Sequence, residues 1–151
     1  MRKSKLWLAT AILVLLALSA YAGAEQQPAS SQIRQGALGY AQAYAAAETA
    51  FLMGGQSTLV QYQDAVAAGQ IPGQDVGVDA SALVRNSFRF VDSAIRFLAG
   101  PQGPARIGVS SSQLFHYNTL FLDPSQVEPG DLIYFQNPGG TIIGLGLVTG
   151  F

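Results

Sequence analysis

Cysteine is absent from the chain, and that one absence removes several chemistries together. No disulfide can staple the fold, no thiolate can hold zinc, no thiol can act as a nucleophile, and no lipid can be attached through sulfur. Histidine occurs once, at His116, and the carboxylates are scattered, so no metal-ligand spacing exists and neither a metal nor another cofactor is expected. Lysine stops at Lys5. Beyond it the basic residues are Arg34, Arg85, Arg89, Arg96 and Arg106, and every acidic residue also lies downstream of Lys5. The chain therefore lacks the basic stripe that nucleic acid requires. Internal repeats and low-complexity tracts are lacking as well, and the alanines between Ala37 and Ala50 are read as helix formers.

What remains is a chain of 151 residues, 49% of them hydrophobic, which fits one domain and a targeting segment. Arg2, Lys3 and Lys5 precede an apolar run from Leu6 to Leu18, and small residues close it at Ala22-Gly23-Ala24. These are the three parts of a secretory signal peptide, placed at residues 1–24, and they predict a secreted, periplasmic or envelope location. If the segment stays uncleaved, its apolar length makes it a membrane anchor. Residues 25–31 are polar, include Pro28, and read as a linker. The domain is expected over 32–151.

Within it, Ser31 can cap a helix over Gln32 to Leu52, closed by Gly54-Gly55. A second helix is expected over Thr58 to Ala68 with Gly69 as its C-terminal cap. After the Gly- and Pro-containing loop Ile71 to Gly77, Asp79 can cap a third helix from Ser81 to Leu98. Its apolar stripe is Leu83, Val84, Phe88, Val91, Ala94, Ile95 and Leu98, with Arg85, Arg89, Asp92 and Arg96 opposite. The charges are spaced so that Asp92 can pair with Arg89 or Arg96. Phe88, Phe90 and Phe97 read as core and surface aromatics, not a cofactor box. One helical turn near Ser112 to Phe115 and a hairpin of Leu132–Phe135 with Ile142–Val148 complete the pattern. The fold class predicted is α+β, helices on a small antiparallel sheet, with that sheet incomplete in this chain.

Three segments carry a family resemblance. Gly77-Val78-Asp79-Ala80-Ser81-Ala82-Leu83-Val84 resembles the stretch that reads Gly-Phe-Asp-Cys-Ser-Gly-Leu-Val in the NlpC family, papain-like endopeptidases of bacterial peptidoglycan. Pro129-Gly130-Asp131-Leu132 resembles that family's Pro-Gly-Asp-Leu strand opening, and Gly144-Leu145-Gly146-Leu147-Val148 is similar to its His-Val-Gly-Ile strand. Phe51 to Gly55 adds an aromatic-Gly-Gly step upstream. The likeness spans roughly Ala37 to Phe151.

The resemblance implies a papain-like fold and places the nucleophile at Ala80 and the general base at Gly144, both degenerate. In the family a thiol at a helix N-terminus is ionised by the helix dipole and a neighbouring imidazole. A methyl group at Ala80 and a hydrogen at Gly144 can do neither job. The polar residue that orients the imidazole in the family would fall past Phe151. Ser81 with His116 is the one substitute pair in the sequence, and both residues have ordinary readings, as a helix-start hydroxyl and a surface side chain. Asp79 reads as an N-cap, and Asp75 beside it does not by sequence make an acid/base pair. The glycines around Leu145 read as permitting close approach or a bulge in a strand, not a phosphate loop.

The expected function is thus an exported NlpC-like pseudoenzyme whose groove, with Asp79, Ser81 and Ile143 as candidate residues, holds a peptidoglycan stem peptide or an envelope protein. The alternatives are a peptidoglycan hydrolase with displaced catalytic residues and a membrane-anchored interaction protein.

Overall fold

The computed structural model describes residues 29–150. The expected signal peptide and most of the linker lie outside the described residues.

Helix α1, Ser31–Ala46, starts where the Ser30 hydroxyl accepts the Ile33 amide at 3.3 Å, one residue before the cap expected at Ser31. It ends six residues earlier than the expected Leu52. Glu48 takes a left-handed φ of 49°, and the amides of Glu48 and Thr49 donate back to the carbonyls of Ala45 and Tyr44, a Schellman closure without glycine. Tertiary hydrogen bonds override helix propensity here. The Ala50 amide donates to the Tyr62 hydroxyl, and Ala50 and Leu52 exchange backbone bonds with Val78. Gly54-Gly55 therefore turns a loop around Val78 instead of closing the helix.

Helix α2, Leu59–Ala67, lies within the expected span, set by a capping box of Thr58 with Gln61 and by Gly69 at φ 90°. Helix α3, Ala80–Val91, is capped by Asp79 as expected but stops short of Leu98. Asp92 is extended, and its carboxylate accepts the Ala94 amide, which turns the chain out of the helix. Asp92 pairs with neither Arg89 nor Arg96; those guanidinium groups donate instead to the carbonyls of Ile95 and Ser93. Phe97 still reaches the core, from strand β1, Phe97–Leu98, which pairs antiparallel with β2, Ala105–Arg106. Helix α4, Ser111–Asn118, is longer than the single turn expected, because Ser110 and Gln113 form a second capping box. Strands β3, Leu132–Gln136, and β4, Ile142–Leu147, form the expected antiparallel hairpin.

The protein is α+β, with helices packed against small antiparallel sheets of two strands each. Helix α3 is central. On one side Ala82 packs with Tyr44 and Val78. On the other Val84 packs with Phe97, Val109, Leu114 and Leu145, where Leu132, Tyr134 and Leu147 of the hairpin join. Strand alternation then turns Ile133 and Phe135 outward, and the unpaired residue between Gly144 and Ile142, Ile143, is a bulge exposed at 68%.

The hairpin is tied to α1 at its opening turn. The Arg34 guanidinium meets Glu128 and, at 3.3 Å, the Asp131 carboxylate, whose other oxygen accepts the Glu128 amide. Gly130, at φ 91°, lies so close to α1 that a Cβ there would stand 2.5 Å from the Arg34 carbonyl oxygen. Gly140 has a similar φ of 80° but open space around it. In denaturant unfolding, Gly140→Ala should cost only the left-handed penalty of about 1–2 kcal/mol. Gly130→Ala should cost about 3 kcal/mol or more, because α1 must also move. Equal losses would show that the turn does not press on α1.

Candidate functional site

Asp79 organises the start of α3. One carboxylate oxygen accepts the Ala82 amide at 2.7 Å and the Ser81 hydroxyl at 2.8 Å, while the other accepts the Gln56 side-chain amide at 3.3 Å. The Asp79 amide donates to the Gly55 carbonyl, so the Gly54-Gly55 loop and the helix start are held as one unit. Ala80, the first helical residue, is half-buried and packs against the cluster containing Leu145. Its methyl stands at a helix N-terminus beside the hairpin.

Ser81 is buried, and its hydroxyl proton is committed to Asp79. His116 is exposed on α4, its ring against Phe115 at 5.0 Å and Tyr117 at 6.1 Å. The structure therefore does not bring Ser81 and His116 together. Gly144 faces Phe135: a Cβ built on it would meet that side chain at 3.6 Å and no atom of α3 within 4 Å. Ile143 at the bulge lies outside the cleft that holds Asp79 and Ser81. Asp75 serves its own loop, accepting the Ile71 amide at 2.9 Å.

That cleft, about 310 Å³, runs between the starts of α3 and α4, with Gln56, Asp79, Ser81 and Arg85 on one side and Gly108 and Ser110 on the other. Arg85 is the residue that sequence reasoning missed. The stripe pattern puts it on the polar face of α3, yet it is only 4% exposed. Its Nη2 donates to the Gln56 side-chain oxygen and its Nη1 to the Ile107 carbonyl at 3.2 Å, while Nε is buried without an acceptor. Burial pulls the guanidinium pKa down, and the charge of Asp79 works against that pull. The sequence signal for its burial is the set of small neighbours, Ala80, Ser81, Ala82 and Ser87, which let α3 be covered on two sides.

A larger hollow of about 670 Å³ lies along α4 and β3, walled by Phe115, Phe121, Ile133 and Tyr134. Its charged groups, Arg34, Glu128 and Asp131, are already paired with one another, so it offers apolar surface and no free reactive group. Among the described residues no three His, Asp or Glu side chains converge as metal ligands, and no helix is long and apolar enough to cross a membrane. No family model matches the chain, and neither does any curated protein or solved structure.

Behind the cleft, the Tyr44 hydroxyl donates to the Ser57 carbonyl at 3.1 Å and accepts from the Asn86 side chain at 3.2 Å, fixing the segment that carries Gln56. Burial pushes the Tyr44 pKa up to about 12. The neutral phenol is thus the form the fold favours, and its contribution to stability is complete below the ordinary tyrosine value near 10 and lost as pH rises through about 12. A tyrosinate absorbance titration, with Tyr44→Phe as the difference, should place this ionisation near 12; a value near 10 would mean that the hydroxyl is solvated.

Proposed function

We propose that the chain is a non-catalytic, NlpC-like domain of the cell envelope, exported by its N-terminal segment, that holds a peptide beside the start of α3 without cutting it. The peptide is a peptidoglycan stem peptide or a segment of an envelope protein. One observation carries the reading: Gly77-Val78-Asp79-Ala80 heads a buried helix that packs on the hairpin opened by Pro129-Gly130-Asp131. The Asp79 segment and the hairpin are neighbours in the fold, which supports the reading, whereas Gly144, the position expected for the base, lies on the other face of the hairpin against Phe135.

The physical chemistry of that position supports binding and not acyl transfer. Peptide cleavage through an acyl intermediate needs a nucleophile within hydrogen-bond reach of a base. Ala80 offers a methyl group, Ser81 is buried on a carboxylate that serves as the helix cap and also accepts Ala82 and Gln56, and the one imidazole is exposed on α4. What the helix start retains is its positive end and a polar cleft, which can align a peptide.

Incubation of the exported form with purified peptidoglycan should leave the protein bound to the insoluble polymer and release no stem peptides detectable by mass spectrometry. Cleavage that resists thiol reagents would overturn the reading in favour of a hydrolase with displaced residues. Ala80→Cys alone should remain inactive, since it supplies a thiol and no base; activity from that single change would reveal a base elsewhere.

A further inference from the structure

Arg85 is a buried cation without a salt bridge, and the charge of Asp79 reaches it only through space. Among the described residues no carboxylate lies within ion-pair distance of it, and the nearest acid to act on it, Asp79, spends its oxygens on Ser81, Ala82 and Gln56. An arginine taken out of water is stabilised when its fork is filled by a carboxylate or phosphate, and here Nε has no acceptor at all. The guanidinium lines the cleft although Arg85 is only 4% exposed. Gly108 stands beside it, and a Cβ at Gly108 would sit 3.7 Å from Nη1, in ordinary contact. A larger side chain at Gly108 would cover the cation further.

Both α3 and α4 begin at this cleft, so their positive ends face it. Ser110 accepts the Gln113 amide on its hydroxyl oxygen, which leaves the hydroxyl proton to be donated to a guest. Asp79 is the opposing charge in the same wall, and it sets the size of the guest's charge. With Asp79 already opposing Arg85, a monoanion meets less repulsion from that carboxylate than a dianion such as phosphate.

The geometry points to the cleft between Asp79, Arg85, Gly108 and Ser110 as a binding site for the terminal carboxylate of a peptide. The peptide identity of the guest rests on the function proposed above, whereas recognition of a carboxylate rests on Arg85 and its surroundings alone.

Isothermal titration calorimetry of the exported form tests it with three probes: acetyl-D-alanyl-D-alanine, the same dipeptide with an amidated C-terminus, and inorganic phosphate. The free acid should bind at least tenfold more tightly than the amide and than phosphate. Arg85→Gln should abolish that preference. Should that variant fail to fold, Gly108→Leu decides the question, because it covers the guanidinium while keeping it, and should lose the free acid with an unchanged circular dichroism spectrum. Equal affinity for acid and amide, tighter binding of phosphate, or full binding by Gly108→Leu would overturn the site. Free-acid binding without retention on peptidoglycan would sink the proposed function and leave the site standing. Retention on peptidoglycan that Gly108→Leu does not alter would do the reverse.

Discussion

The carboxylate of Asp79 is the constraint from which the rest of the structure hangs. It caps α3, fixes Ser81 and reaches Gln56, so the helix start, the loop before α2 and one wall of the cleft share one anchor. An N-cap of this type stabilises a helix by on the order of 1 kcal/mol. Its structural consequence is larger than that figure, because α3 is the element on which both halves of the core are built. Where α3 begins determines which of its residues meet α1, which meet the hairpin, and that Ala80 stands at the junction.

The same junction fixes the surroundings of Ala80. Ala80 fills a place against the apolar cluster of Val84 and Leu145, where a small side chain packs without strain. The polar groups beside it bond chiefly to one another. Ser81 and Gln56 bond to Asp79, Gln56 also takes Arg85, and Tyr44 with Asn86 steadies the backbone behind them. A buried guanidinium tied into such a network costs desolvation, and no carboxylate among the described residues lies within ion-pair distance of it.

Features set by neighbouring residues were legible in the sequence. Asp79 as a cap, Gly69 as a helix stop and the hairpin of β3 with β4 are local chemistry, and their signals survive folding. Features set by distant residues were not. The early end of α1 depends on Val78 and Tyr62 capturing Ala50, and the early end of α3 on Asp92 preferring a turn to a surface ion pair. Helix α4 looked like a single turn because Leu114 is its one buried side chain. Arg85 could not be placed by periodicity, since α3 is covered on two sides and its pattern marks only one. In the candidate site, the meeting of Asp79 and Ser81 followed from adjacency. The outward turn of Ile143 follows from a bulge beside Gly144, and the glycines there read in the sequence as permitting one.

Residue-resolved amide NMR during titration with a soluble stem peptide reads out whether the start of α3 holds a peptide it cannot cleave. Shift changes should concentrate at Gln56, Ser81, Gly108 and Ser110, with the peptide recovered intact from the tube. Changes confined to the outer face of the hairpin around Phe135 and Ile143, or recovery of peptide fragments, would contradict it.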